Sequence, residues 1–456
     1  MALAMRTLCL VAALGILPAA PARAEPELVD PEAGLLELVT PPETAARLDR
    51  VDGLAFDRFG HLFAALEIAG AAGGLVLVDP GTGEVTPFAG GISRADQVAL
   101  RSVLLQPDLP VTTILVTSEV APAATSQRLF AVGLSYDADG RPLALRPPIA
   151  IRTPLGINNP EGLVVIESDG RFGSAGTLYV AEDVVGGRIL RLDPGSRAMS
   201  VLASGLRRPE GLAFGDFGGA VAPALYGAET ALHRVIRIDA DGSVSPVGVP
   251  TAVGLTFPDN VEFGPDGMLY VTEDRPAPQS RILRVAADGA HEVFATGFGQ
   301  AAGLAFHPET DDLYVSEQDF GRIWRVRFTR EVAVDVRPRS PRNRVRPGSH
   351  GVLPVAILGS EELDAGEIDA ASLRFGPDGA PAARDPGPLV DLDGDGYADL
   401  VLHFRVDASG IAPEDAEACL DGALLDGRPL HGCDAIETVP PRVPPRAHGV
   451  GRARGR

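Results

Sequence analysis

The sequence contains no lysine: all 40 of its Lys-or-Arg positions are arginine. That removes lysine from any list of nucleophiles. It also lacks the serine nucleophile elbow, the paired histidines of zinc hydrolases and the glycine-rich phosphate loop, which excludes the chemistries built on them. No internal stretch is apolar for long enough to span a bilayer. The longest apolar run, Leu8 to Leu17, is short; Arg6 precedes it and Ala22-Arg23-Ala24 follows it. Residues 1–24 therefore read as a secretory signal, and the mature chain is expected to start near Glu25, secreted or periplasmic. Positive charge is scarce too. The net charge is -21, and residues 1–24 hold two arginines and no acid, so the remainder sits near -23 (-21 minus 2). This balance argues against nucleic acid or an anionic membrane as partner.

Cysteine is equally sparse, with three in all, and Cys9 falls within the leader. Cys419 and Cys433 lie almost symmetrically about Asp426-Gly427, so a hairpin there would set them opposite each other. A disulfide in an oxidising compartment is the expected reading, two free thiols the alternative.

What the chain has in quantity is a repeat. Its clearest copy runs from Phe257 to Gly289: a short alternation (Val261, Phe263), a Pro-Asp-Gly turn, a strand from Met268 to Thr272, the acids Glu273-Asp274, a strand Arg281 to Val285 and an Asp-Gly turn. Period-2 patterning bounded by such turns marks antiparallel hairpins. Further copies open at Asp52-Gly53, Asp96-Gln97, Glu161-Gly162, Glu210-Gly211 and Ala302-Gly303, and their second strands close at Glu67, Glu119, Glu182, Glu229 and Glu317. Self-similarity at roughly 40 to 60 residues with about four strands per unit indicates a β-propeller, here of six blades over residues 25–330; a plain β-sandwich is the alternative. The sixth copy is one strand short, and Leu35 to Val39 stands before the first copy without a unit of its own. That segment is expected to pair with Arg322 to Phe328 and close the ring. The composition changes after residue 330. Residues 331–439 read as a small C-terminal β-sandwich-like domain, and the Pro-, Arg- and Gly-rich residues 440–456 as a disordered tail.

Because the first two strands of a blade are antiparallel neighbours, the acids opening one and closing the other should meet on one face. Asp52, Asp96, Glu161, Glu210 and Asp259 would ring the channel, with the glutamates, Asp183 and Asp274 behind them. Unpaired carboxylates so close repel strongly, and Ca²⁺, which takes oxygen ligands, would neutralise them. Asn260 adds a neutral oxygen beside Asp259. For the outer set, including Glu273, the alternative is pairing with the arginines that recur a few residues later. Only His233 could reach this mouth.

The second region holds the sharpest motif, Asp391-Leu392-Asp393-Gly394-Asp395-Gly396-Tyr397-Ala398-Asp399. Carboxylates at alternate positions, Gly at the sixth and a backbone carbonyl from Tyr397 at the seventh form a calcium loop. Leu402 stands where a helix-flanked site would place Glu, so the loop is expected between strands, in a structural role; a solvated acidic turn is the alternative.

Over residues 51–328 the motifs resemble the calcium-dependent six-bladed propellers of the gluconolactonase/regucalcin group, and more loosely the paraoxonases and NHL-type repeats. The resemblance implies a channel metal held by Asp52, Glu161, Glu210 and Asp259, with Asp259 also the base. Glu210 stands where that group usually has Asn, the aromatic residue after the first motif is missing, and Asn260 replaces a Gly, as in paraoxonases. The pairs Glu182-Asp183 and Glu273-Asp274 are similar to those of secreted propeller alkaline phosphatases, and residues 334–439 resemble a C-terminal domain of secreted bacterial proteins. The expectation is an exported, calcium-dependent hydrolase of lactones, esters or phosphate esters. The alternatives are a calcium-stabilised propeller that binds a small molecule, carbohydrate or protein at its acidic face, and a degenerate enzyme scaffold.

Overall fold

Each of the six repeats folds as one antiparallel sheet. The structure, a computed structural model, describes residues 25–106, 109–119, 128–193, 196, 198–248 and 254–439; the expected leader and tail lie outside the described residues. The first strands are Val51–Phe56, Ala95–Gln106, Pro160–Val165, Pro209–Gly215, Pro258–Phe263 and Ala301–Phe306. They neighbour one another in that order, and the last returns to the first, so the sheets close into a propeller around a channel. Gly34–Leu38 pairs antiparallel with Arg322–Phe328, Leu36 opposite Val326, and supplies the missing fourth strand of the sixth sheet. An addition the sequence did not announce is Glu27–Leu28, which extends the edge of the fifth sheet against His291–Phe298. The described residues contain no α-helix, and no helix among them is long and apolar enough to cross a membrane.

The strand chemistry follows the layering. Second strands such as Leu269–Glu273 and Leu313–Glu317 are buried along their whole length, because neighbouring sheets cover both faces. Tyr179, Tyr226, Tyr270 and Tyr314 occupy the same place in four successive sheets and are almost completely buried. Third strands are mixed: in Arg234–Ile238 the arginines stay partly open while Val235, Ile236 and Ile238 enter the core.

Every first strand carries a register shift immediately after its opening residue, at Val51/Leu54, Ala95/Val98, Pro160/Leu163, Pro209/Leu212, Pro258/Val261 and Ala301/Leu304. Two residues on the bulged strand thus leave the ladder, and such irregularities re-aim side chains. The pairs so displaced are Asp52-Gly53, Asp96-Gln97, Glu161-Gly162, Glu210-Gly211, Asp259-Asn260 and Ala302-Gly303. Packing dictates glycine at the second place: a Cβ on Gly162 would lie 2.1 Å from the Glu210 carbonyl oxygen, and one on Gly303 2.4 Å from that of Asp52. Hydroxyls satisfy the backbone freed by the bulge. Thr272 Oγ1 accepts from Asn260 N and donates to Ala302 O, both at 2.9 Å, pinning the fifth sheet to the sixth.

Residues 330–438 build further sheets around a core of their own, from Val332 to Ile436. A five-stranded sheet containing Glu417–Ala423 and Pro429–Ala435 faces a three-stranded sheet of Val334–Val336, Val352–Ile357 and Leu400–Arg405. Phe375 and Phe404 stack between them, ring centroids 5.2 Å apart. Cys419 and Cys433 are register partners in the hairpin and form the expected disulfide, S–S 2.04 Å. Arg428 ties this region to the sixth sheet through Asp312, at 2.6 Å.

Candidate metal centre at the channel mouth

The glutamates closing the second strands do not all behave alike. In the third to sixth sheets each caps the chain that enters the first strand of its own sheet: Glu182, Glu229, Glu273 and Glu317 accept from the backbone N–H of Asn158, Arg207, Thr256 and Gly299 at 2.7 to 2.9 Å. Their other oxygen meets an arginine of the third strand: Arg188, Arg234 and Arg281 at 2.6 Å, Arg322 at 2.8 Å. These four carboxylates are buried and committed to loop geometry. Glu273, a candidate ligand on sequence, is one of them; besides Arg281 it accepts from Thr256 N and Oγ1.

The pattern breaks in the first two sheets. Glu67 pairs with Arg50 and, at 3.5 Å, with Arg94. Glu119 has Arg94 no closer than 3.9 Å and accepts from Asn159 Nδ2 at 3.1 Å. It turns toward the channel and joins Asp96 and Glu161, one carboxylate oxygen of each lying within 4.8 Å of the others. Glu161 belongs to a second such group with Asp183 and Glu210. There Arg208 supplies the countercharge, forked on Asp183 at 2.6 and 2.8 Å and reaching Glu210 at 3.1 Å. Thr230 also donates to Glu210, at 2.6 Å. Glu161 is therefore the hinge between a group balanced by arginine and one that is not.

Burial, followed by the charges of Glu210 and Asp96, pushes the Glu161 carboxyl well above the ordinary range. Asp96 is raised by burial and then by Asp52 and Glu119, and Glu210 by burial and then by Asp183. Glu119 goes the other way: burial would raise it, but hydrogen bonds from Glu161 and Asn159 bring it below its usual value. Asp259 is half-buried, and no donor among the described residues reaches its carboxylate. Burial and the charges of Asp52 and Glu210 push it well up. Asp52 is raised to about 8 by burial, then by Glu67 and Glu119, although Gln318 Nε2 donates to it at 2.9 Å and Gln97 Nε2 at 3.4 Å.

Asn260 is engaged otherwise than expected. Its Oδ1 accepts from Val261 N at 2.8 Å, and its Nδ2 donates to Gln97 Oε1 at 3.1 Å. His233 accepts from Phe257 N through Nδ1 at 2.9 Å, which fixes a loop instead of presenting a base. Sequence reading alone did not single out the residues that precede the first strands: Arg50, Arg94, Asn159, Arg208, Phe257 and Gln300. All six hold left-handed backbone, φ 45 to 54°, one per sheet. Non-glycine residues adopt that region at a cost, and the repetition is the available signal: one polar or aromatic residue two places before each opening dipeptide. Five of the six then reach acids of the mouth, Gln300 meeting Asp274 at 2.8 Å.

In the C-terminal region Asp391, Asp393 and Asp399 come together within 4.8 Å. Asp399 is fully buried, accepting from Gly359 N at 2.8 Å and Leu392 N at 2.7 Å. Asp391 Oδ1 accepts from Gly394 N, and Asp395 Oδ1 from Tyr397 N. The loop lies between the bridge Val390–Asp399 and the strand Leu400–Arg405, as expected of a strand-flanked turn.

No protein-family model and no curated protein matches the chain. Among solved structures it is similar to a gluconolactonase from Xanthomonas campestris (15% identity, TM-score 0.45, covering 68% of this chain and 98% of that one). It is also similar to a streptogramin B lyase (13%, TM-score 0.39, 65% and 98%) and to an auxiliary nutrient binding protein from Bacteroides thetaiotaomicron (13%, TM-score 0.42, 60% and 68%). With TM-scores below 0.5, none of them assigns an activity to this chain.

Proposed function

We propose that the protein is an exported hydrolase of lactones, esters or phosphate esters that holds a calcium ion at the acidic mouth of its propeller. The observation that carries this reading is the group Asp96, Glu119 and Glu161: three oxygen donors gathered on two adjacent sheets, with no arginine among the described residues in hydrogen-bond contact. The donor set fits a hard cation, and Glu210 and Asp259 stand next round the ring. When bound, the ion supplies Lewis-acid polarisation of a carbonyl or phosphoryl oxygen. The chain's own residues do the rest. Arg208 keeps Asp183 and Glu210 in place, the amides of Gln97 and Asn260 set the channel floor, and Asp259, free of donors and with raised proton affinity, takes the proton from an attacking water.

The amide contact between Gln97 and Asn260 favours a second reading, a propeller that binds a small molecule or carbohydrate at this face without turning it over, because that contact bridges opposite sheets beside the acids and offers them a fixed polar floor. Calorimetric calcium titration, combined with hydrolysis assays on a δ-lactone, an aryl ester and an aryl phosphate with and without chelator, separates the two. Chelator-sensitive hydrolysis supports the enzyme; calcium binding without hydrolysis of any of the three leaves the binding module; absence of calcium binding removes the metal from both.

A further inference from the structure

The strongest positive charge in the chain is far from the acids in sequence. Residues 337–346, RPRSPRNRVR, hold five arginines and no acid, in a protein whose net charge is -21. They form the wall of a cavity of about 490 Å³ in the C-terminal region, lined by Arg337, Arg339, Arg344 and Arg346 and by no carboxylate. We propose that this cavity binds a small ligand through a tetrahedral oxyanion, a phosphate or sulfate ester carried on a sugar-like body.

Three features support an oxyanion over a merely solvated loop. The first is the state of the guanidinium groups. Arg339 is exposed and has no hydrogen-bond or ion-pair partner among the described residues. Arg344 meets Glu437 at 3.1 Å, its one ion-pair partner among the described residues, with both side chains about half exposed, and such surface pairs hold little energy. Arg337 gives Nη1 to the Arg344 carbonyl at 2.6 Å, which braces the loop across its own width. Four guanidinium groups around a cavity whose lining holds no carboxylate repel one another, and an oxyanion relieves that repulsion while matching the guanidinium fork with paired hydrogen bonds.

The second feature is direction. Val345 is buried between Arg344 and Arg346, so strand alternation sends both arginines to the side away from the core. The third is the lining beneath the charge. Leu353 and Val406 are nearly buried and give an apolar floor, and the hydroxyl residues Ser340 and Ser349 stand at the wall. The volume falls within the range that accepts small organic ligands, and an apolar floor with hydroxyls suits a sugar ring better than a bare ion.

The test is calorimetric titration of the full chain, at low ionic strength and without divalent cations, with inorganic phosphate, inorganic sulfate, glucose 6-phosphate and glucose. We expect saturable one-to-one binding of glucose 6-phosphate, competition by whichever inorganic anion the site prefers, and no binding of glucose. Arg339→Gln removes an unpartnered exposed side chain, so it should fold as the parent does, checked by its melting temperature, yet weaken glucose 6-phosphate about tenfold. Arg342→Gln changes the same net charge in the same loop but outside the lining, and should leave the affinity unchanged. The proposal is overturned if no anion gives a saturable isotherm, if glucose binds as well as its phosphate, or if Arg342→Gln weakens binding as much as Arg339→Gln, which would mean diffuse charge attraction and no site.

Discussion

Asn260 Nδ2 donates to Gln97 Oε1 across the channel at 3.1 Å, joining the fifth sheet to the second, its opposite in the ring. Both residues occupy the second place of the bulge, where the other four sheets have glycine. The two exceptions to the glycine rule thus face each other and meet, and Gln97 passes the connection on to Asp52 at 3.4 Å. Gln97→Leu leaves both the Asn260 amide and the Asp52 carboxyl short of a partner in a buried place, and should cost about 1–3 kcal/mol in urea denaturation. A double-mutant cycle with Asn260→Gly should return a coupling of at least about 0.5 kcal/mol; independent effects would mean that the amides do not meet.

Glu161 and Glu273 looked alike in the sequence as acids of one mouth, yet the structure separates them. Glu161 is shared by two carboxylate groups, whereas Glu273 is fastened to Arg281 and to the Thr256 backbone. Glu161→Gln should lower calcium affinity at least about tenfold and leave the fold about as stable, because a neutral amide replaces a carboxyl that already holds its proton. Glu273→Gln should do the reverse: calcium affinity unchanged, stability lower by about 2 kcal/mol, because Arg281 loses its buried countercharge. Since Glu161, Asp96 and Glu210 hold protons well above the usual carboxylate range, calcium must displace them. Affinity should therefore rise from pH 6 to pH 8 with proton release, measurable by calorimetry in buffers of different ionisation enthalpy.

The sheets, their order, the closing strand and the disulfide were legible because each rests on a local rule: alternation, turn chemistry, or the symmetry of two cysteines about a turn. The acids of the mouth were legible as a set, since antiparallel neighbours must share an end. Which of them stay free was not. That depends on whether an arginine five to eight residues on can fold back, as Arg188 and Arg281 do for Glu182 and Glu273, and on side chains from adjacent sheets, as Arg208 does for Asp183 and Glu210. Gln97 and Gln318 were illegible for the same reason. Their partners Asn260 and Asp52 lie 163 and 266 residues away in sequence.

Glu262 breaks a second rule of the repeat. The equivalent residues of the other sheets are Ala55, Ala99, Val164, Ala213 and Ala305, so a carboxyl stands here on a first strand where the other sheets are apolar, in a cavity of about 780 Å³ at the opposite end of the channel whose rim also carries Asp57, Arg58 and Glu167. Burial raises it to about 7. A carboxyl whose folded value lies above its unfolded value favours folding while protonated, so stability should be full near pH 4.5 and fall as the pH rises toward 7. The share due to Glu262 should be about 2 kcal/mol between pH 5 and pH 8, and Glu262→Gln should reduce the pH dependence of the denaturation curves by that amount, leaving the part due to the acids of the mouth. A parent and variant with the same pH dependence would place the titration elsewhere.

The C-terminal loop offers an independent site. Asp399 is committed to two backbone N–H groups, while Asp391 and Asp393 stay exposed with oxygens directed inward. Asp393→Ala with Asp395→Ala should remove one equivalent of calcium and lower the melting temperature of this region by several degrees at saturating calcium. It should leave binding at the propeller mouth intact. An unchanged calcium stoichiometry would assign the loop to an ordinary solvated turn.

Asp259 carries the catalytic step of the proposed hydrolase. It opens the fifth sheet at the bulge beside Asn260, half-buried, with no donor among the described residues to hold its carboxylate in the charged form. Burial and the neighbouring charges of Asp52 and Glu210 raise its proton affinity, which suits a base, but a cation on the adjacent carboxylates would pull that affinity down again. Activity should therefore be modest and increase toward alkaline pH, where hydroxide shares the work. Asp259→Asn keeps an oxygen donor and the shape of the bulge while losing the base. It should retain calcium affinity within about threefold and lower kcat at least about a hundredfold, with KM little changed. Glu119→Gln should instead weaken calcium and leave kcat near the parent value once the site is saturated. An Asp259→Asn variant that turns over lactone, aryl ester and aryl phosphate as fast as the parent would remove Asp259 from the mechanism, whatever the metal content.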